Sequence, residues 1–274
     1  MDLFWWKEKP LRTIWRVEKE GRFSYLVGTS HFCPYRFEKA LTHIVQGVEM
    51  VLFEGPLDKA SMSRVVEYGR QGADSPSLYE ALDAAAIKEI NRELKAQGSA
   101  GATLSSYLDI LQPAHSDYLE AHTRGMRPWM AFFTIWSALL NWKYSMDVDA
   151  FQIAQKLGKK IDYLETIADQ LSALDGIPFD RIVNYLNHID RWKEYKELYM
   201  RSFTKGDMEK FASMTGEFPT RCDSIIANRD PVFFKRMKDF FEKEKTAAFV
   251  GVAHLPGISK LFLKEGYRVS QEGS

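Results

Sequence analysis

The chain has 274 residues, 45% of them apolar, with 37 Lys and Arg exactly offset by 37 Asp and Glu. That composition is ordinary for a soluble globular protein, and the neutral balance removes the electrostatic case for a general nucleic-acid or anionic-membrane binder. Two cysteines, Cys33 and Cys222, can build neither a disulfide framework nor a four-thiolate zinc site, so they read as reduced thiols of a cytosolic protein.

The opening stretch, MDLFWWKEKPLRTIWRVEKEG, is aromatic but repeatedly charged, with no apolar core and no small-residue cleavage site. It predicts no signal peptide and a cytoplasmic location. RTIWRVEKEG and RFSYLVG suggest two paired strands turning at Glu20-Gly21. The second strand leads through Thr29, Ser30 and His31 into a helix that carries Leu41, Ile44, Val45 and Val48 at helical spacing. VEMVLFE then rises as a buried strand to Glu54, with Gly55 and Pro56 as breakers.

From about 58 to 145 the pattern is helical. Its runs are SMSRVVEYGRQ, SLYEALDAAAIKEINRELKAQG behind a Ser77/Glu80 capping box, and LSSYLDILQPAHSDYLEAHTR, punctuated by Gly98, Gly101 and Pro113. WMAFFTIWSALL, opened by Arg127-Pro128, is very apolar. It falls short of the roughly 20 residues a membrane span needs, so it predicts a buried core helix. Trp5, Trp6, Trp129, Trp136 and Trp142 read as core. DAFQIAQKLG predicts a helix with Gly158 at its end, and KIDYLE a strand ending at Glu165.

Residues 167–245 are again mostly helical, with RIVNYLNHIDRWKEYKELYMRSF and PVFFKRMKDFFEKEK the strongest amphipathic runs. The last piece, TAAFVGVAHLPGISKLFLKEGYRV, echoes the first strand–corner–helix unit, so Gly-x-x-His follows an apolar strand twice: Gly28 to His31 and Gly251 to His254. The glycines are expected to let the chain turn sharply and approach a ligand. No linker or low-complexity tract separates these parts. The reading is one domain over 1–274, an α/β fold with a central mixed sheet, two strand–GxxH–helix units, and helical insertions at about 58–145 and 167–245.

His31, Glu54, Glu165 and His254 each stand at or just past the end of an apolar strand. Open α/β sheets bind ligands beyond the carboxyl ends of their strands, so these four are expected to converge. Two imidazoles and one or two carboxylates suit Zn²⁺, Mn²⁺ or Co²⁺. A single Gly-x-x-His would be noise, and a strand-end histidine is more often structural; two in matching contexts reverse that weighting. Glu54 after VLF is costly to leave unpaired, and Glu165 has the same standing unless a buried arginine is its only reason. Cys33, two residues past His31, is a minor candidate for a nucleophile or ligand. The other histidines are weak candidates: His115 and His122 have the seven-residue spacing of a shared helix face, while His43 and His188 look ordinary. No P-loop, dinucleotide-binding glycine pattern, His-Glu-x-x-His or Gly-x-Ser-x-Gly occurs.

LVGTSH at 26–31, VLFEGPL at 51–57, RPWM at 127–130, SMD at 145–147, GKKIDYLET at 158–166, KGD at 205–207, ANRD at 227–230 and FVGVAHLPGISKLFLKEGYRV at 249–269 resemble the TraB/GumN (TraB/PrgY) family, which includes the Tiki proteins. The similarity looks closest to the GumN-like bacterial branch. The resemblance implies a fold of the erythromycin-esterase/ChaN-like group. For the Tiki branch it implies Mn²⁺- or Co²⁺-dependent peptide hydrolysis on two Gly-x-x-His motifs and a glutamate, carried here by His31, His254 and Glu54. Glu165, Arg229 and Asp147 match other recurrent positions.

The expectation is a metal-dependent hydrolase, a peptidase, with Glu54 or Glu165 as general base. Arg229 would stabilise an oxyanion or orient a carboxylate, and Ser30 and Asp147 would bind substrate. The rival is a non-catalytic regulator of the TraB/PrgY type that sequesters a peptide or small molecule in the same cleft. A third reading, from the wider fold group, is an esterase or haem-binding protein.

Overall fold

A computed structural model describes residues 9–72, 74–99 and 118–272. Expectations resting on Trp5, Trp6, Gly101, Pro113, His115 and the LSSYLDILQ run lie outside these residues.

The paired strands at the start are β1 (Ile14–Lys19) and β2 (Arg22–Thr29), antiparallel from Ile14 opposite Val27 to Lys19 opposite Arg22. Glu20 (φ 52°) and Gly21 (φ 78°) both take positive φ, the turn geometry that matches strand twist in a tight hairpin. Helix α1 (Glu38–Gln46) leads to β3 (Met50–Phe53). The first helical region then supplies α2 (Lys59–Arg70), α3 (Leu78–Ala81), α4 (Ala84–Ser99), α5 (Tyr118–Thr123), α6 (Pro128–Leu140) and α7 (Met146–Lys156). Strand β4 (Lys160–Tyr163) follows. The second helical region holds α8 (Ile167–Asp175), α9 (Phe179–Asn187), α10 (Trp192–Lys205), α11 (Met208–Met214) and α12 (Asp230–Phe241). The chain then closes with β5 (Thr246–Gly251), α13 (Leu255–Lys264) and β6 (Arg268–Gln271).

The six strands form one mixed sheet in the order β4-β3-β5-β2-β1-β6. The four strands β4, β3, β5 and β2 run parallel, so their carboxyl ends share one edge. Consecutive residues are buried along β3, along most of β5 and at the end of β2. Successive side chains point to opposite faces, so both faces must be covered, which is why these strands read as unbroken apolar runs. Helices α1 and α7 pack together with α7 on β3 and β4, while α12 packs on β5 and α13 on β2. Phe53 and Phe249 stack at 5.5 Å between neighbouring strands, both almost fully buried. Truncating such a ring costs about 3–5 kcal/mol.

A second apolar core lies among the helices, around Phe132, Ile135, Trp136, Leu139, Ile182, Leu186 and Trp192. The run WMAFFTIWSALL is therefore a buried helix, and among the described residues no helix is long and apolar enough to cross a membrane.

Two continuous helices expected from periodicity are broken. Ser77 does cap α3, its Oγ accepting from Glu80 N at 3.3 Å, but Leu82 is extended (ψ 147°) and buried before α4 starts. Asp83 N donates to Asn187 Oδ1 at 3.0 Å, a contact from α9 that fixes the break. The run from Arg181 to Phe203 is interrupted at His188 (φ −108°, ψ 32°) and continues through a short 3-10 turn, Ile189–Arg191. The break buries both Ile189 and Trp192 in the helical core.

Candidate functional site

The four parallel strands deliver one residue each to the same edge. His31 follows β2 by two residues, Glu54 follows β3 directly, Glu165 follows β4 by two, and His254 ends a 3-10 turn after β5. The strand ends are in register, since Glu165 N donates to Glu54 O at 2.9 Å.

Gly251 marks the meeting point. Its N–H donates to Glu54 Oε1 at 2.6 Å. A Cβ there would stand 3.3 Å from Glu54 Oε1, 3.7 Å from His254 Cδ2 and 4.0 Å from His31 Nε2. Gly251 thus lets the Glu54 carboxylate come close, where the approach expected was to a ligand. Gly28 does not turn the chain, because it lies inside β2, where a Cβ would run into Leu255 and Val252. Its role is to let α13 start against the sheet.

Each histidine is oriented by an aspartate. His254 is buried, and its Nδ1 lies 2.6 Å from Asp230 Oδ1. A carboxylate acceptor places the proton on Nδ1 and leaves Nε2 with a lone pair, which accepts from Arg229 Nη1 at 3.5 Å and lies 3.7 Å from Glu54 Oε1. His31 Nδ1 lies 2.7 Å from Asp147 Oδ2 in an ion pair whose angle falls short of an aligned hydrogen bond, while the ring is 60% exposed to the cleft. Asp147 reaches His31 because Cys33 and Tyr144 pair through both backbone N–H groups and Met146 N donates to Ser30 O. Thr29 Oγ1 donates to the other Asp147 oxygen at 2.5 Å. The Asp147 carboxylate draws the His31 pKa up to about 9, against the partial desolvation of the ring in the cleft.

Arg229 binds both glutamates. Its Nε and Nη2 reach the two Glu165 oxygens at 2.9 and 2.6 Å, and Nη2 also donates to Glu54 Oε2 at 2.7 Å. The guanidinium therefore orients both carboxylates, and its Nε and Nη2 donors are committed to them. Burial alone would raise the Glu54 pKa, but Arg229, His254 and His31 outweigh it and bring it down to about 2. For Glu165 burial prevails over Arg229 and the pKa is raised. Burial lowers the Arg229 pKa, and the two carboxylates more than reverse that.

Ser30 Oγ donates to Phe32 O at 2.6 Å and so accepts from the Tyr199 hydroxyl at 2.9 Å. Burial pushes the Tyr199 pKa up to about 12. Cys33 is fully buried in the sheet core, its thiol pushed up to about 11 by burial, so it is packing. His43 and His122 are exposed helical residues, and the His188 ring contacts its own turn at Asn184 O.

A cavity of about 170 Å³ opens over this edge. Its polar floor is His31, Glu54, Arg229 and His254, and its apolar wall comes from both helical regions, including Phe133, Trp136, Trp142, Tyr195 and Phe218. Sequence reasoning gave no role to Asp230, although it stands in the ANRD stretch, and none to Gly251 N or Tyr199. The donor types fit a divalent ion, since carboxylate-backed imidazoles are what metal-bound histidines show. The spacing does not: among the described residues no three His, Cys, Asp or Glu side chains are grouped closely enough to hold an ion. Both Glu54 oxygens are already engaged, and Arg229 sets a fixed cation beside His254 Nε2.

The family model for TraB/PrgY/gumN matches residues 13–271 of the chain. No curated protein matches it.

Proposed function

The chain belongs to the TraB/PrgY/gumN family, and from that premise and the site geometry we propose that it is a hydrolase cleaving a peptide bond by water attack. The observation that carries the reading is the pair of aspartate-backed imidazoles that meet Glu54 beside Gly251 at the sheet edge. His254 Nε2 accepts a proton from the attacking water, with Asp230 holding the tautomer and steadying the imidazolium that forms, and returns it to the amine nitrogen as the C–N bond breaks. His31, kept protonated by Asp147, presents Nε2–H to the oxygen that gains charge. Glu54 is a weak base at a pKa of about 2, and its oxygens fasten Gly251 and Arg229. His254 is therefore better placed as general base than Glu54 or Glu165.

The test is turnover of a panel of peptides by the protein and its His254→Ala and Asp230→Asn variants. A fall of about 10²–10⁴-fold in His254→Ala, with the fold intact, supports the base assignment. Unchanged turnover ends it.

Metal dependence is an alternative to this proton-transfer scheme, since an ion on the two imidazoles would need both neutral and their lone pairs occupied, and it rests on donor type alone. Bound through His31 and His254, Mn²⁺, Co²⁺ or Zn²⁺ would supply a water of lowered pKa. Stoichiometric metal that is lost in His31→Ala supports it; metal-free turnover removes it.

The second reading, a non-catalytic binding protein, is favoured by one observation: both Glu54 oxygens are already engaged beneath an apolar wall. Peptide binding without turnover, unaltered in Glu54→Gln, would establish it.

A further inference from the structure

Besides the imidazoles, three cationic side chains line the cleft: Arg229, Arg221 and Lys196. Arg229 is held by two carboxylates. Arg221 and Lys196 have no carboxylate partner among the described residues.

Arg221 is half-buried. Its Nε donates to Thr215 Oγ1 at 3.0 Å, and Thr215, itself buried, donates on to Phe211 O at 2.9 Å. The guanidinium also lies 5.0 Å over the Phe211 ring. One edge of the fork is thus fixed, while Nη1 and Nη2 bond to no protein acceptor among the described residues. Lys196 Nζ donates to Leu140 O at 3.2 Å and lies 5.5 Å over the Trp142 and Trp192 rings. Burial lowers the pKa of both groups, as expected for cations taken from water without a counter-ion. Such placement is costly and is relieved by an anion. A planar fork with one fixed edge suits a carboxylate, which it can bind with two parallel hydrogen bonds. Trp136, Trp142, Tyr195 and Phe218 stand in the same cleft and suit a large apolar group.

We propose that Arg221, with Lys196, recognises the terminal carboxylate of the substrate, a peptide whose last residue carries a large apolar side chain. The assignment rests on the peptide-hydrolase reading and deepens it. A C-terminal apolar residue bears its carboxylate and its side chain on one Cα, which matches cations embedded in an aromatic wall better than an acidic side chain does.

The experiment reads binding by calorimetry on the His254→Ala protein, so that cleavage does not intervene. The probes are N-acetyl-Ala-Phe, its C-terminal amide, and the amide of N-acetyl-Ala-Glu. The free acid should bind at least tenfold more tightly than either amide. Arg221→Gln should abolish that preference, Arg221→Lys should keep part of it, and Lys196→Gln should reduce it. Equal binding of acid and amide overturns the proposal, as does a preference that survives Arg221→Gln or a failure of all three probes to bind. Tighter binding of the glutamate amide would move the site to acidic side chains and also overturn it. The acid-to-amide comparison needs no change at Arg221, so it decides even where a variant fails to fold. Turnover by the unaltered protein is scored separately. A carboxylate preference without turnover sinks the hydrolase and leaves Arg221 its role, while turnover without preference does the reverse.

Discussion

Glu54→Gln keeps the shape of the side chain and removes its charge, at a position where both effects can be worked out. In the native site Oε1 accepts from Gly251 N at 2.6 Å and Oε2 from Arg229 Nη2 at 2.7 Å. Glutamine offers one acceptor and one donor, so its NH₂ must face one of two N–H groups. One charge-assisted hydrogen bond is lost in a setting only 8% exposed. Breaking a buried ion pair outright costs about 3–5 kcal/mol because the partner charge is stranded. Here Arg229 keeps its two bonds to Glu165, so the loss should be nearer the 1.5–3 kcal/mol of a single bond to a charged group. At about 2–4 °C per kcal/mol that is a fall of several degrees in melting temperature. Thermal melting and peptide turnover on this variant are the assay. An unchanged melting temperature would show that Arg229 does not depend on Glu54. A loss of the full buried-pair size would show that Glu165 does not share the charge. A folded variant with undiminished turnover would remove Glu54 from the catalytic site.

Asp147→Asn should return the His31 pKa from about 9 toward its ordinary 6.5, read as a shift in the ring's proton NMR titration; no shift would mean Asp147 is not its cause. The folded Glu54 pKa of about 2 lies below its ordinary 4.5, so its contribution to stability is whole above 4.5 and is lost as pH falls toward 2. The His31 pKa is raised, chiefly by Asp147 and to a lesser degree by Glu54, so its contribution is whole below 6.5 and is lost as pH rises through about 9; denaturant melts across pH should show Glu54→Gln flattening the acid limb more than the alkaline one. A Cβ on Gly257 would overlap Asp230 Oδ2, so Gly257→Ala should push that carboxylate off His254 and cut turnover by at least tenfold; full activity would mean Asp230 does not orient the base. Phe249→Ala, at the stacked centre of the sheet, should cost about 3–5 kcal/mol in chemical denaturation.

The strands and their exits were legible because parallel strands covered on both faces must be apolar throughout, so a polar residue ending such a run stands out. That pattern alone points His31, Glu54, Glu165 and His254 to one edge. Asp230 was not legible as the His254 partner, since the contact depends on how the start of α12 packs beside α13, which no local pattern encodes. Asp147 stood out through the SMD resemblance, but its hold on His31 comes from the Cys33–Tyr144 pairing, a two-residue bridge far too short to give a periodic signal. The breaks at Leu82 and His188 were hidden for a related reason. Both flanks of each keep helical spacing, and only burial in the helical core decides that Leu82 and Ile189 leave it. Gly28 was misread because a glycine that admits a neighbouring side chain looks, in sequence, like one that turns the chain.

The strand order also has a kinetic consequence. β5 sits between β3 and β2, and its contacts span most of the chain: Thr246 N meets Ser24 Oγ across 222 residues and Gly251 N meets Glu54 across 197. A chain emerging from the ribosome as far as β4 holds β2 and β3 with the slot between them open and two parallel edges unpaired. Such long-range parallel pairing is intrinsically slow, and open apolar edges are sticky while they wait. The same late insertion that completes the sheet brings Gly251 and His254 to His31 and Glu54, so folding intermediates of this protein should be both the aggregation-prone species and species without a formed site.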